Sequence, residues 1–221
     1  MAEKTLPASA GDWLKHESDP RYTRERMVLA SSGAERMLAS GTVLGRITVA
    51  TPATAAAVGG NTGNGAMGAV TVGAGAVPGV YRLTITAAAA DAGAFMLRDP
   101  SGVVVGIGKV GVAFAGGGLA FTLADGGTDF VAGDAFTITV AAGSGKYVEL
   151  DAAGTLGTQV PTAILVDRAT VPASGDAPGV ALVRGPALVR ASGLVWPEDY
   201  AAVAAGEATL AQRGIVTRIG A

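Results

Sequence analysis

The sequence predicts a mostly β protein in which a discontinuous host domain carries an inserted antiparallel β-sandwich. Short runs of alternating apolar and polar residues, separated by Gly, Asp and Pro turn signals, recur along most of the chain. The composition also changes sharply over residues 58–142, which contain only eight charged side chains but 19 of the 34 glycines. A helical pattern is confined to one stretch near the C-terminal end.

The bulk composition argues against several classes of function. Charged residues make up 15% of the chain and the net charge is −2. The chain therefore lacks the excess of Lys and Arg that is typical of a nucleic-acid-binding protein. Mean hydropathy is +0.43, but no apolar run approaches the ~18–20 residues of a spanning helix. There is no cysteine, which rules out disulfides and thiolate metal sites. The N-terminal sequence has charges where an export signal needs an apolar region, so we expect synthesis in the cytoplasm without export.

Residues 1–27 are polar, mixed in charge and interrupted by two prolines. They show neither a helical nor a strand period, so the segment alone buries too little apolar surface to offset its ordering entropy. Two interpretations remain open: a disordered tail, or a flexible arm that orders on a partner. In the second case Trp13 and Tyr22 are its natural anchors.

Residues 28–57 begin the folded host domain. Thr42–Val49 reads as a strand bounded by Gly41 and Pro52. An Ala- and Gly-rich sequence that resembles a linker follows it.

Residues 58–142 form the predicted insert. Turn signals separate five β-type runs, and this spacing is typical of a small antiparallel sandwich. The runs are Val80–Thr86, Ala94–Arg98, Val103–Ile107, Leu119–Leu123 and Phe136–Val140. In the first run Tyr81, Leu83 and Ile85 make one face, as expected for a half-buried strand.

Residues 143–221 return to the host domain. Lys146–Leu150, Ala163–Val166 and Gly179–Arg184 read as strands, and Ile215–Ile219 as a last strand. Pro197 is favoured at the first position of a helix that would continue to Arg213. Gly214 is its predicted stop.

The C-terminal third resembles the lambda-type head decoration protein family of tailed bacteriophages. The residues that carry the resemblance occur in a characteristic order: SGKYVELDAAGTLGTQVPTAIL (144–165), VALVRGPALVR (180–190), LVWPE (194–198) and QRGIV (212–216). SGTVLG (40–45) matches the early strand of the family more weakly. The resemblance covers roughly half the chain, and short members of the family lack residues 58–142.

This resemblance implies a compact β fold of the barrel or "tadpole" type with little helix. It implies a homotrimer that sits on the outer surface of the phage head and stabilises the expanded capsid. The partners would be the major capsid protein and the chain itself, with no nucleic acid and no membrane. We therefore expect Trp13, Tyr22 and Arg24 to contact the capsid, and Trp196 and Pro197 to lie in the trimer contact or the core.

Motifs for enzymatic chemistry are weak, and we expect no enzyme, no cofactor and no metal. Gly106–Gly111 satisfies G-x-G-x-x-G, but the sequence after it cannot sustain the helix that binds pyrophosphate; we interpret the glycines as turns. In the phosphate-loop-like Gly143–Lys146, Val140 replaces the first glycine. Asp125, Asp129 and Asp134 are candidate calcium ligands, but their spacing matches no known calcium loop, and Asp beside Gly is typical of hairpin turns. His16, the only histidine, lies in the predicted arm.

An alternative function is a surface adhesin, in which the insert binds a host-surface protein or glycan. An unrelated secreted β-protein is disfavoured by the lack of an export signal.

Overall fold

A computed structural model of the chain describes residues 8–220. The fold is mostly β, as the sequence predicts. The strands, in chain order, are β1 (Leu14–Glu17), β2 (Arg24–Leu29), β3 (Arg36–Leu38), β4 (Val43–Arg46), β5 (Thr54–Ala57), β6 (Ala66–Met67), β7 (Thr71–Val72), β8 (Gly79–Ala89), β9 (Ala92–Arg98), β10 (Val104–Lys109), β11 (Ala113–Gly116), β12 (Leu119–Ala124), β13 (Ala135–Val140), β14 (Tyr147–Glu149), β15 (Ala163–Leu165), β16 (Ala169–Val171), β17 (Ala177–Leu182), β18 (Ala187–Arg190) and β19 (Ile215–Arg218). The helices are α1 (Ala10–Trp13), α2 (Pro20–Thr23) and α3 (Val203–Gln212), with a 3-10 turn at Ala191–Gly193.

The described residues separate into two compact units. Unit 1 contains the chain up to Ile47 and from Gly145 onward, and unit 2 is Thr48–Ser144. The division lies about ten residues before the change in composition because β5 pairs with β13 and so belongs to the sheet of unit 2.

A small barrel forms the centre of unit 1. Strands β14, β2, β17, β15 and β4 pair in that order and close on themselves. Their neighbours are antiparallel except for the short β14–β2 contact. Along β2, Met27 and Leu29 are buried whereas Arg26 and Val28 are exposed, because successive side chains of a strand point to opposite faces. The barrel therefore has a filled apolar interior and a separate outer face.

A second sheet of unit 1 brings the two ends of the described chain together. Strand β18 lies between antiparallel β1 and parallel β19. The apolar cluster beside this sheet combines residues from distant parts of the sequence: Trp13, Val43, Leu150, Ile164, Val166, Leu182, Ala187, Val189, Leu194, Leu210 and Ile215. Leu210 comes from α3, which begins at Val203, six residues later than predicted. The helix ends where predicted, since Gly214 has φ +78°, a conformation that glycine adopts without strain.

Unit 2 consists of two antiparallel sheets. One has the order β10-β9-β8-β13-β5, and the other the order β11-β12-β6, with β7 also paired to β12. All five predicted strands are present, and Tyr81, Leu83 and Ile85 are buried on one face of β8 as predicted. Contacts among Phe95, Phe114 and Phe121, whose ring centroids lie 5.0–5.9 Å apart, link β9 to β11 and β12.

Candidate protein-interaction surface

The N-terminal segment is folded from residue 8, so the prediction of a disordered or flexible arm is wrong for residues 8–27. Residues 1–7 of that predicted arm lie outside the described residues. The segment is built from pieces of four to six residues, too short to show a hydrophobic period. One sequence signal could have revealed the first helix of this segment, namely a Ser followed three residues later by Asp. In the structure Ser9 and Asp12 form a reciprocal capping box at the start of α1. Hydrogen bonds from the Ser9 backbone and hydroxyl lower the pKa of Asp12.

Trp13 belongs to the core and is not exposed for capsid contact. It is fully buried, and its Nε1–H donates to Ser40 Oγ at 2.9 Å. Ser40 Oγ in turn donates to the carbonyl oxygen of Val166. A Cβ atom added at Gly193 would lie 2.6 Å from the Cβ of Trp13, and one added at Gly41 would lie 3.2 Å from the indole Cδ1. Both glycines therefore leave room for Trp13. The predicted role of Trp13 as a capsid anchor is therefore wrong.

Tyr22 is presented at the surface by a short capped helix. Asp19 Oδ1 accepts a hydrogen bond from Arg21 N at 2.9 Å, and Pro20 occupies the first position of α2. Tyr22 is 55% exposed. The guanidinium of Arg184 lies 5.2 Å from the centre of its ring and pairs with Glu25. We call Tyr22, Glu25 and Arg184 the Tyr22 cluster, which offers an aromatic ring already oriented by a cation.

Arg24, the third predicted capsid contact, is half-buried in an internal ion pair. Its Nε donates to Glu17 Oε2 at 3.0 Å, and Thr23 Oγ1 donates to the same oxygen at 2.7 Å. Partial burial acts to raise the pKa of Glu17, but the hydrogen bonds from Arg24 and Thr23 outweigh it and hold the pKa below its usual value. The hydrogen bond to Glu17 raises the pKa of Arg24. Arg24 thus ties β1 to β2.

A shallow groove lies on the outer face of the barrel beside Arg24. In the β2–β17 register Arg26 is opposite Val180 and Val28 is opposite Pro178. The groove has a volume of about 330 Å³. Its lining is Arg26, Asp167, Arg168, Ala169, Pro178, Gly179 and Val180. We call these residues with Val28 the β2–β17 face. This face carries a net positive charge, because it has two arginines and one aspartate. Val28 and Pro178 add exposed apolar surface to it.

Trp196 and Pro197 lie at the margin of the core of unit 1. Trp196 stacks on Tyr200 with ring centroids 5.2 Å apart, and both pack against the cluster that contains Trp13. Gly206 of α3 leaves room for the indole, since an added Cβ would lie 2.7 Å from the ring. The Trp196 Nε1–H is buried and has no hydrogen-bond partner among the described residues. Pro197 lines a second groove of about 500 Å³ with Glu149, Glu198 and Asp199.

The motifs that resemble nucleotide sites have structural explanations. Gly106 and Gly108 lie within β10, not in turns as predicted. An added Cβ would lie 2.5 Å from the Phe114 ring at Gly106 and 2.3 Å from the Phe95 ring at Gly108. Lys146 of the phosphate-loop-like sequence pairs with Asp176 at 2.6 Å. His16 is exposed on β1, where it lies opposite Leu188.

Comparison with known proteins gives one extensive match. The family model described as "Bacteriophage lambda head decoration protein D" matches residues 4–215. No match was found among curated proteins. Over residues 8–220, no helix has the length and apolar character needed to cross a membrane.

Several solved structures show partial similarity to this chain. A flagellar FlgL of Xanthomonas campestris is 23% identical over 46% of this chain and 33% of its own, with a TM-score of 0.33. The flagellar junction protein FlgL of Legionella pneumophila is 21% identical over 47% of this chain and 38% of its own, with a TM-score of 0.32. The hook junction protein FlgK of Burkholderia pseudomallei is 20% identical over 57% of this chain and 22% of its own, with a TM-score of 0.32. The chain thus covers well under half the length of these structures, and the scores are too low to support an argument about fold or function.

Proposed function

Because this chain belongs to the family of the bacteriophage lambda head decoration protein D, we propose that it binds the outer surface of a tailed-phage head as a homotrimer and stabilises the expanded capsid. A structural role in the phage head follows from the family itself. The match over residues 4–215 is the observation that carries the proposal. The trimer, the stabilisation and the contact surface are our inferences.

We assign capsid contact to the β2–β17 face and the Tyr22 cluster. Arginine and tyrosine are enriched in protein interfaces, whereas lysine and glutamate are depleted. Arg26 and Arg168 lie around an apolar floor that includes Pro178 and Val180. The same strand pair contributes Met27 and Ala181 to the barrel core. The backbone that carries the outer side chains is therefore fixed before binding, which lowers the entropic cost of association.

Stabilisation follows from mass action. A protein that binds the assembled lattice but not its separated subunits shifts the equilibrium toward the lattice. The effect grows with concentration and affinity, so each capsid contact adds to the free energy needed to separate neighbouring capsid proteins. No catalytic chemistry is required of the decoration protein.

Titration of undecorated capsids with variants tests the assigned surface. We expect R26A and V28D each to weaken binding by about fivefold to thirtyfold, the effect of losing an interface anchor of about 1–2 kcal/mol. Both residues are exposed, so the fold should be unaffected, which circular dichroism would verify. R82A, an exposed arginine in unit 2, is the matched control. Capsid affinity equal to wild type in both R26A and V28D would refute the assignment.

Sedimentation equilibrium at micromolar concentration tests the trimer. The expected mass is three times the 21.6 kDa of one chain, because small apolar residues and few charges suit a self-complementary ring. We propose that Trp196 and Pro197 contribute to this contact. A monomer in solution together with dimers on the shell would contradict the trimer.

A host-binding role for unit 2 is the second candidate. Its support is a set of exposed apolar residues in and beside β10, including Val103, Ile107 and Val112 at 59%, 73% and 54% exposure. Exposed apolar patches mark interaction sites in soluble proteins. Binding of residues 48–144 to host cells or a glycan array would support this role, and it is compatible with decoration.

A further inference from the structure

Three aspartates converge at one end of unit 2. Asp91 lies in the turn between β8 and β9, while Asp125 and Asp129 lie in the segment that follows β12. Each offers a carboxylate oxygen, and these oxygens all lie within 4.8 Å of one another. Three carboxylates at this separation repel each other, and a cation bound between them would remove that repulsion.

The carboxylate of Asp125 provides an independent sign of a ligand. Both of its oxygens are buried, and neither accepts a hydrogen bond from any described residue. Burying an unpaired carboxylate costs several kcal/mol, so such groups are normally paired or coordinate a metal. Among the described residues, the one other buried side-chain nitrogen or oxygen without a partner is the uncharged Trp196 Nε1. Asp125 is therefore the one buried carboxylate of this part of the chain that lacks a partner.

Asp134, in the same unit, shows how a buried carboxylate is satisfied without a metal. Its two oxygens accept hydrogen bonds from the backbone N–H groups of Thr62, Gly63 and Val131 at 2.9, 2.9 and 3.1 Å. Burial acts to raise the pKa of Asp134, but these three bonds outweigh it and lower the pKa overall. Asp134 therefore has a structural role and needs no metal. Asp125 differs because no described residue donates a hydrogen bond to its carboxylate.

We propose that Asp91, Asp125 and Asp129 bind a divalent cation, with preference for Ca²⁺. Calcium takes oxygen ligands at about 2.3–2.6 Å, so one ion can join oxygens that are up to about 5 Å apart. Magnesium requires about 2.0–2.1 Å in near-ideal octahedral geometry, which spans only about 4.2 Å. All the oxygen pairs lie within 4.8 Å, which is inside the span that one calcium ion reaches. The preference for calcium rests on its acceptance of several carboxylates in flexible geometry, which magnesium does not share.

Local contacts hold two of the ligands before an ion arrives. The backbone N–H of Asp91 donates to Asp129 Oδ1 at 3.0 Å, and Asp91 has φ +50°, a conformation tolerated by Asp more readily than by most residues. Asn64 Oδ1 accepts from Thr128 N at 2.9 Å, which fixes the segment next to Asp129. The bound ion would join the β8–β9 hairpin to the segment after β12, and so link the two sheets of unit 2.

Calcium titration of the full chain, stripped with EGTA and dialysed, tests this site. We expect calorimetry to show one Ca²⁺ per chain and a melting temperature that rises with CaCl₂ concentration. D125N should bind Ca²⁺ at least about tenfold more weakly, because affinity depends on the number of charged ligands. Equal concentrations of MgCl₂ should raise the melting temperature less than CaCl₂ does.

D99N is the matched control, since all three hydrogen bonds to Asp99 are accepted by Oδ1, which asparagine retains. D129N provides a second test at an exposed ligand, in case D125N does not fold. No calcium binding at about 10 mM, binding unchanged in the folded variants, or an equal response to magnesium would overturn the proposal.

Discussion

At the scale of single residues, the burial of Trp13 makes the N-terminal segment part of the core of unit 1. The sequence places this tryptophan among polar residues, where it resembles an anchor for a partner. The structure buries it beside Ser40, Gly41 and Gly193. Its partners are 27 or more residues away in sequence, so no local pattern could identify them. A large aromatic in a polar segment is thus compatible with either a core or an interface role.

Substitution of Trp13 should destabilise unit 1. We expect W13A to lower the free energy of unfolding by about 3–5 kcal/mol, the usual cost of removing a buried aromatic. W13F should cost less, roughly 1–2 kcal/mol, because the ring is retained and the bond to Ser40 is lost. Guanidinium unfolding followed by fluorescence is suitable, since the remaining tryptophan, Trp196, also lies in unit 1.

The exposed Tyr22 supplies the control for this experiment, and Y22A should leave the unfolding midpoint nearly unchanged. Midpoints for W13A equal to wild type would show that the indole does not contribute to the core.

At the scale of elements, the link between β1 and β2 depends on one carboxylate. Glu17 at the end of β1 accepts hydrogen bonds from Thr23 and Arg24 on either side of the α2–β2 junction. These bonds fix the direction in which β2 enters the barrel. They also place Arg24 close enough to Asp167 for that charge to raise its pKa further.

The Glu17 contacts predict a dependence on pH. Because the pKa of Glu17 is lower in the folded protein, its contribution is present above the unfolded value of about 4.3 and is lost as the pH falls through the folded value. E17Q should therefore cost roughly 1–2 kcal/mol at pH 7, and the difference from wild type should shrink toward pH 3. Denaturant unfolding at both pH values measures this.

E35Q, at an exposed carboxylate, is the control for the loss of one negative charge. A difference between E17Q and wild type that is constant from pH 7 to pH 3 would contradict the role assigned to the Glu17 carboxylate.

Strands in which apolar and polar residues alternate could be predicted from the sequence. Strands that exist only because a neighbouring strand pairs with them could not. Residues 80–86 alternate cleanly, so β8 and its buried face followed from the sequence. Strand β5, with the sequence TAAA, is exposed at every position and is a strand only because β13 lies beside it. The groove on the β2–β17 face could not be predicted from the sequence either, because Arg26 and Val180 become neighbours only through the barrel pairing.

At the scale of the whole molecule, the chain combines a contiguous unit with a discontinuous one. The backbone enters and leaves unit 2 at adjacent positions, since Gly143 N donates to Thr48 O and Gly145 N donates to Ile47 O, both at 2.9 Å. Adjacent ends are the condition under which an inserted domain is tolerated. The change in composition at residue 58 lies ten residues inside unit 2, because the Ala-rich residues 50–57 resemble a linker in sequence and β5 within them is a strand only by pairing with β13.

Removal of residues 48–144 with a short Gly-Ser link should leave a folded unit 1 that still binds capsids. We expect its fluorescence-detected unfolding midpoint to stay close to that of the full chain. Removal of 58–142 only should be worse, because β5 would remain without β13 and expose an unpaired strand. If the 48–144 deletion were insoluble while the shorter deletion folded, the boundaries at Thr48 and Ser144 would be incorrect.

The meeting of both chain ends in one sheet also affects the order of folding during synthesis. Strand β1 is synthesised before unit 2, whereas its partner β18 and the core residues Leu210 and Ile215 are synthesised after unit 2. Unit 2 is complete by Ser144, and domains fold as units as they emerge. We therefore expect the nascent chain to carry a folded insert between two unpaired halves of its host. Unit 1, and with it the β2–β17 face, would be completed only after β18, Leu210 and Ile215 have emerged from the ribosome.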